Sequence, residues 1–384
     1  MTMTTVSKQK ILIMAGGTGG HVFPALSIAQ HLLSRGVQVE WLGTRNGLEA
    51  SVIPATNIPL HTISIAGLRG SSLARKILAP VVVLVAVLQS IFKVIQIKPG
   101  CVLGMGGFVT GPGGLAAWLL RKKLVIHEQN AIAGLTNQLL FPLASTAMEA
   151  FPGAFERKQQ LTGNRMLKGF IKPGNTIVVG NPVRQDISAL QKDNTSTVND
   201  SRKLRLLVIG GSLGAVAINK SIPAMLKLMP AAERPEVLHQ CGKRNLEETR
   251  TLYRDQEIDL DEQTRVEAFI DDMSEAYRWA DIIIARSGAM TVSEIAAAGL
   301  ASILIPYPYA VDDHQTENAA FLQRVGAAEV IQQKDLDEHR LLELIRKYDQ
   351  DRGALHQAAM KAHEAARPDA TEKAASVCME ACYA

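Results

Sequence analysis

Short apolar runs alternate with longer amphipathic stretches along most of this chain. In the first half, Lys10–Ala15 predicts a strand, Pro24–Ser34 a helix stopped by Gly36, and Val37–Leu42 a second strand, with further strands at Cys101–Leu103, Leu124–His127 and Ile177–Val179. Pro24 brings the pre-set φ that suits a helix start. The second half repeats the alternation, with strands at Leu204–Ile209, Val237–Gln240, Val266–Ala268, Ile282–Ala285 and Ser302–Pro306. This pattern predicts the α/β class, with parallel sheets covered by helices on both faces. The stretch Asp186–Lys203 is polar and rich in Asn, Thr and Ser, and it marks a boundary. Residues 1–186 are expected to form one Rossmann-like domain and 187–365 a second. A helix over about 366–384 is expected to pack back on the first. A chain of 384 residues exceeds one typical core, which agrees with that division.

One device occurs twice, 194 residues apart: KILIMAGGTGGHVFPALSIAQHL and RLLVIGGSLGAVAINKSIPAML. Gly16 and Gly17 match Gly210 and Gly211, Thr18 matches Ser212, and Gly20 matches Gly214. Each copy is an apolar strand, a glycine-rich turn and an amphipathic helix. A turn of this kind lets backbone N–H groups and a helix N-terminus approach a phosphate. Two copies predict two domains facing a shared cleft and two phosphorylated ligands brought together. The first turn is not a dinucleotide fingerprint, because G-x-G-x-x-G/A read from Gly17 ends on Val22, and it is not a P-loop, because no Lys-Ser/Thr follows; the second turn misses the fingerprint as well. Four glycines in five residues could also serve chain reversal alone.

Composition narrows the classes. The formal charge is only +4 and there is no long basic run, so nucleic acid is not indicated. The four cysteines show neither a disulfide framework nor metal-ligand spacing, which fits a reducing cytoplasm, and Cys378 and Cys382 fall on one helical face, where packing is expected. The polar N-terminus has no signal-peptide apolar region. Leu73–Lys98 is the most hydrophobic segment; its unbroken apolar run, Ile77–Leu88, contains Pro80 and falls short of the roughly 20 residues of a membrane span. It reads either as a buried crossover helix or as an apolar patch rimmed by Arg69, Arg75, Lys76 and Lys93 on an anionic bilayer.

Several side chains are candidates for chemistry. His21 lies near a helix N-terminus, whose dipole favours the neutral ring, and it could act as a general base or merely bond the loop. Glu128, at the end of a predicted strand in HEQN, is a rival base or a structural carboxylate. GMGGFVTGPGG (104–114) places more glycines at the same sheet edge. In ARSGAMTVSEIAAAG (285–299) a helix beginning near Met290 could hold a diphosphate, and Glu294 could take the two hydroxyls of a ribose, although Thr291–Glu294 also has the capping-box pattern. Arg184 in GNPVR could reach a phosphate, and Gln315 and Asn318 in DDHQTEN are candidates for sugar hydroxyls. Asp271-Asp272 and Asp312-Asp313 lack metal-ligand spacing and read as solvated turns, so neither a metal nor a cofactor is expected.

The motifs MAGGTGGHVFPAL, ISIAGLRG, VLGMGGFVTGPGGLAAW, HEQNAIAGLTN, GNPVR, IGGSLGA, FIDDM and RSGAMTVSEIAAAGL together resemble the lipid II-forming N-acetylglucosaminyltransferases of bacterial peptidoglycan synthesis, of GT-B fold. The resemblance implies transfer of N-acetylglucosamine from UDP-N-acetylglucosamine to the 4-hydroxyl of undecaprenyl-pyrophosphoryl-N-acetylmuramoyl-pentapeptide (lipid I), with inversion. It implies that Gly211, Ser212 and the helix opening at Ala289, Met290, Thr291, Val292 and Ser293 meet the donor diphosphate. Ile270 would contact the uracil, Glu294 the ribose and Gln315 the sugar. Thr18, Gly19, Gly20, Asn130 and Arg184 would line the donor from the other domain. Gly16, Gly17, Gly106 and Gly107 would take the acceptor pyrophosphate. It also turns Arg75, Lys76 and Ile77 into a membrane patch on the cytoplasmic face of the plasma membrane, with cell-wall synthesis and division proteins as further partners. The alternatives are a UDP-N-acetylglucosamine 2-epimerase of similar architecture and a non-catalytic sugar-nucleotide-binding scaffold.

Overall fold

A computed structural model of the chain describes residues 9–65, 73–157, 175–190, 202–211 and 214–383, without the side chains of 73–78. It divides into two compact units, residues 1–184 with 369–384, and residues 185–368.

The first unit runs β1 (Lys10–Met14), α1 (Gly19–Ser34), β2 (Gln38–Gly43), α2 (Glu49–Val52), β3 (Leu60–Thr62), α3 (Leu73–Ile97), β4 (Cys101–Gly104), α4 (Thr110–Leu119), β5 (Lys123–Glu128), α5 (Leu135–Leu140), β6 (Thr146–Glu149) and β7 (Asn175–Val178). Its strands form one sheet in the order β3-β2-β1-β4-β5-β6-β7, and every pairing is parallel. The β1 side chains alternate between two cores. Ile11 and Ile13 face α1, while Leu12 and Met14 share a core with Ala86, Val94 and Ala117 of α3 and α4. The short strands β3 and β6 carry too little apolar signal to be found in the sequence.

The second unit runs α6 (Gln185–Ser188), β8 (Arg205–Ile209), α7 (Val216–Lys227), β9 (Glu236–Gln240), α8 (Leu246–Asp255), β10 (Thr264–Glu267), α9 (Met273–Trp279), β11 (Ile282–Ala285), α10 (Ala289–Ala298), β12 (Ala301–Leu304), α11 (His314–Arg324), β13 (Ala328–Val330), α12 (Glu338–Gln350) and α13 (Arg352–Ala365). Its parallel sheet has the order β10-β9-β8-β11-β12-β13. The chain then returns to the first unit as α14 (Ala370–Tyr383), whose Ala374, Ala375 and Cys378 are buried in the core that holds Ile11, Ile13 and Cys101.

In both sheets the strand order reverses beside the opening strand, between β1 and β4 and between β8 and β11. Ligands of open α/β sheets bind outside the carboxyl ends of the strands at such reversals. Both glycine turns leave from those points.

Two local expectations are corrected. Helix α1 begins at Gly19, not Pro24, so Pro24 lies inside it and forgoes the bond its amide would have given to Gly20. Helix α3 continues through Pro80, and its segment Ala79–Ile97 is long and apolar enough to cross a membrane by length and composition, with only 28% of it buried. A single such helix is weak evidence of a span, and the reading of this segment as a buried crossover helix holds for one stripe only: Ala86, Val87, Ser90, Val94 and Ile97 are buried, while Leu84, Leu88, Phe92 and Ile95 are exposed.

Candidate functional sites at two sheet reversals

At the first reversal, the register pairs Met14 with Gly104, so the turns after β1 and β4 lie side by side. The Trp41 indole N–H donates to the Ala15 carbonyl at 2.9 Å, and Thr110 Oγ1 donates to Met14 at 3.0 Å and to Gly106 at 2.6 Å, fixing both turns. Gly107 has φ +80, and a Cβ there would collide with the Gly16 carbonyl oxygen. These glycines therefore let one main chain lie on another.

Behind the Gly16–Gly17 turn is a carboxylate the sequence did not disclose. Glu49, at the start of α2, is fully buried. Its Oε2 accepts from the Gly17 amide at 3.1 Å, and its Oε1 accepts from the Thr44 amide at 2.8 Å and the Thr44 hydroxyl at 2.7 Å. A Cβ on Gly16 would meet Glu49 Oε1 at 2.6 Å, and Gly43 and Gly47 also close around this side chain. Part of the glycine excess makes room for Glu49. No cation among the described residues pairs with it.

Thr18 is the N-cap of α1, and His21 occupies its first turn. His21 Nδ1 lies 3.2 Å from Thr18 Oγ1. The ring packs on Gly106, where a Cβ would stand 2.9 Å from Cδ2. Burial lowers the His21 pKa to about 4, against the opposing effect of a hydrogen bond with the Gly16 backbone. The ring is neutral at pH 7, chiefly through desolvation.

Glu128 is buried at the end of β5, and burial raises its pKa. Its Oε1 accepts from the Asn130 amide (2.9 Å) and Asn130 Nδ2 (3.2 Å); its Oε2 accepts from the Gly134 amide (3.0 Å) and Asn137 Nδ2 (2.9 Å). The carboxylate thus organises the loop after β5, and Asn130 turns toward it. Thr18, Gly19, Gly20, Asn130 and Arg184 all belong to the first unit. A cavity of about 410 Å³ opens in this unit, lined by Gly16, Gly17, Arg45, Asn46, Ile65 and Phe108.

At the second reversal, Gly211 has φ +80, and a Cβ there would meet nothing within 4 Å, so this turn borders open space. Ser212 lies outside the described residues. Next to it, β11 ends at Ala285, and Gly288 is the N-cap of α10, with no side chain to cap it. The capping-box reading of Thr291–Glu294 fails: helix α10 already begins at Ala289, so neither residue holds the position the box requires. Glu294 Oε2 instead accepts from the Tyr277 hydroxyl at 3.0 Å. Val292 is fully buried, its amide bonded to Gly288, while Met290, Thr291 and Ser293 are part-exposed.

Arg286 was also missed. Its guanidinium donates to the Ile305 and Pro306 carbonyls at 3.1 Å each, bonds Gln333 Oε1, and lies 5.6 Å from the centroid of Tyr307. Among the described residues no carboxylate pairs with it. The loop it holds is coupled to Gln315. The Tyr307 amide donates to Gln315 Oε1 at 2.9 Å, and Ser287 Oγ donates to the Gln315 carbonyl at 2.8 Å. Asn318 is buried, with Nδ2 donating to the Ser287 carbonyl at 3.1 Å. Ile270 is buried, and its amide donates to Gln240 Oε1 at 3.0 Å. Arg286 directly follows a buried strand in ARSGA, which was a usable signal; Glu49 and Tyr277 carried none. Asp272 caps α9 through the Glu275 amide at 2.9 Å.

Besides the exposed apolar residues of α3, Trp118 and Leu119 of α4 and Leu135 and Leu139 of α5 are exposed, with Arg121, Lys122 and Lys123 next along the chain from Leu119. The side chains of Arg75, Lys76 and Ile77 lie outside the described residues, as does Arg69.

Comparison with known proteins matches residues 11–149 to the glycosyltransferase family 28 N-terminal domain and residues 205–374 to its C-terminal domain. The UDP-N-acetylglucosamine–N-acetylmuramyl-(pentapeptide) pyrophosphoryl-undecaprenol N-acetylglucosamine transferase of Marinobacter nauticus is 46% identical over 379 residues, covering 99% of each chain. The crystal structure of Acinetobacter baumannii MurG superposes with a TM-score of 0.81 at 38% identity, covering 97% of this chain and 99% of that one. A UDP-GlcNAc 2-epimerase from Neisseria meningitidis has a TM-score of 0.66 at 13% identity, covering 97% and 100%, which is a likeness of fold alone.

Proposed function

The chain belongs to glycosyltransferase family 28, among the MurG-type N-acetylglucosamine transferases, and on that premise we propose that it transfers N-acetylglucosamine from UDP-N-acetylglucosamine to lipid I, giving lipid II. The observation that carries the reading is a division of labour between the two sheet reversals. The second offers an uncapped helix N-terminus beside a guanidinium that has no carboxylate partner among the described residues, which together suit a diphosphate. The first offers a neutral imidazole, which suits proton removal.

In this reading the second unit holds the donor. Its diphosphate lies at the N-terminus of α10 beside Arg286, with the uracil at Ile270, the ribose hydroxyls at Glu294 and the sugar at Gln315. Tyr277 fixes the Glu294 carboxylate. The first unit holds the acceptor, with its pyrophosphate in the cavity lined by Gly16 and Gly17. There Arg45 supplies a positive charge to offset Glu49, and Gly106 and Gly107 back the turn. The acceptor 4-hydroxyl attacks C1 in line with the departing UDP, which inverts the anomeric centre. Preorganised N–H dipoles and the Arg286 charge stabilise the negative charge that develops on the leaving phosphate. His21 is the base. Glu128 is not chosen, because its four hydrogen bonds hold it to the loop after β5.

The exposed apolar face of α3, α4 and α5 docks on an anionic membrane surface, where each Lys or Arg contributes about 1 kcal/mol. Co-sedimentation with anionic vesicles, weakened by Phe92→Glu, is the expected result.

The deciding assay follows UDP release from UDP-N-acetylglucosamine with and without a short-chain lipid-linked muramoyl-pentapeptide. Release that requires the acceptor and yields the disaccharide supports the transferase. Acceptor-independent release or a C2-epimerised sugar would replace it with the epimerase, and donor binding without turnover would replace it with a scaffold.

A further inference from the structure

The residue that opens α1 carries a hydroxyl that does not do what its position suits it for. Thr18 is the N-cap, with extended φ −112° and ψ 158°, where a Thr side chain ordinarily accepts an N–H from the first turn. No such bond forms. Its Oγ1 lies instead 3.2 Å from His21 Nδ1. Thr18 is exposed, whereas His21 is only part-exposed. The far side of the His21 ring rests on Gly106, whose absent Cβ would stand 3.0 Å from Nε2. Of the two residues in this contact, Thr18 is the more exposed.

We propose that Thr18 is a catalytic residue, a proton relay between the attacking hydroxyl of the acceptor and His21. The inference rests on the reading of His21 as the base. In the tautomer with its proton on Nε2, His21 Nδ1 accepts from the Thr18 hydroxyl. As the acceptor oxygen bonds to C1 of the sugar, its proton passes to Thr18 Oγ1, and the Thr18 proton passes to Nδ1. The C1–O bond to the diphosphate breaks, and its electron pair leaves with UDP. His21 ends as imidazolium and Thr18 ends neutral. The proton then returns to solvent, so no outside reactant is needed. This arrangement also accounts for the missing cap, because a hydroxyl oriented onto the ring is withdrawn from the helix.

The test measures kcat, donor affinity and solvent isotope effect for wild type, Thr18→Val, Thr18→Ser, His21→Ala and the Thr18→Val/His21→Ala double variant, with UDP-N-acetylglucosamine and the lipid-linked acceptor. Thr18→Val keeps the shape and removes no capping bond, so the fold survives; Thr18→Ala is a second variant of the same loss. Thr18→Val is expected to lower kcat about 30- to 100-fold, whatever rise in donor KM accompanies it from the donor lining that the resemblance assigns to Thr18. Thr18→Ser should stay within about threefold of wild type, and the double variant should be no slower than His21→Ala, because members of one relay act as a unit. The wild-type proton inventory should be curved, with two protons in flight, and that of Thr18→Val should be linear. If Thr18→Val keeps its kcat while His21→Ala loses about a hundredfold, the base stands and the relay is overturned. A rise in donor KM alone would make Thr18 a binding residue and also overturn the relay. Full activity in His21→Ala would overturn the base assignment and the relay together.

Discussion

The two glycine turns look alike in sequence and carry opposite charges behind them. Beneath Gly16–Gly17 is a buried carboxylate, Glu49, with no cation among the described residues; beside Gly210–Gly211 is a guanidinium, Arg286, with no carboxylate among them. The first turn spends a glycine amide on its own Glu49 and folds its main chain against Gly107. The second stands next to the uncapped α10; the matched glycines Gly17 and Gly211 both have open space where a Cβ would stand, so space does not separate the turns. A shared strand–turn–helix plan therefore does not imply a shared ligand. The charge placed behind the turn sets what a bound anion must contend with: a buried carboxylate at the first, a guanidinium at the second.

The sharpest way to break this contrast is His21→Ala. It should lower kcat about a hundredfold or more while UDP-N-acetylglucosamine affinity by calorimetry stays at the wild-type value. A parallel loss of donor affinity would make His21 a donor-binding residue instead of the base. Glu49→Ala should cost the first unit about 2–4 kcal/mol in denaturant unfolding, because it strands the Gly17 and Thr44 donors and leaves a void. Calorimetric unfolding of the second unit should not change. Arg286→Met should weaken UDP binding about tenfold, and Arg286→Lys should recover part of it. Equal UDP affinity in all three forms would remove Arg286 from the comparison.

The smallest expected effect is one the two units share. Burial lowers the pKa of His127 to about 4 and of His239 to about 3, both below the unfolded value near 6.5. A ring kept neutral in the fold contributes stability that is complete above pH 6.5 and lost as pH falls toward the folded value. At pH 6 each should have cost its unit about 1 kcal/mol. His21, also held neutral in the fold, adds a third ring that takes up a proton only when the first unit unfolds, so these rings should lower the first unit's unfolding midpoint in acid further than the second's.

The parts of this molecule written as local pattern are legible in the chain itself. Buried strands such as Ile282–Ala285 are continuous apolar runs, and the glycine turns and ARSGA sit directly after them. What escaped depends on partners distant along the chain. Glu49 resembles any acidic residue at a helix start until Gly17, 32 residues earlier, donates to it. Glu294 formed a plausible local cap until Tyr277 competed for it from another helix. The four donors around Glu128 lie only two to nine residues away, but which of them would turn toward the carboxylate depends on the path of the loop and not on spacing. Helix α1 started early because Gly19 and Gly20, poor helix formers, were held in its first turn by the loop they close.

The first unit is not a continuous stretch of chain. Its core includes Ala374, Ala375 and Cys378 of α14, which follow the whole second unit in sequence. Synthesis runs in one direction, so when residues 1–184 leave the ribosome the face of their sheet under α1 still lacks the part of its cover that α14 supplies. The sheet against which the helix of His21 packs must wait, partly uncovered, until residues 370–383 are made and return to it. The second unit, whose residues are contiguous, has no such wait, and the order of completion is the reverse of the order of translation.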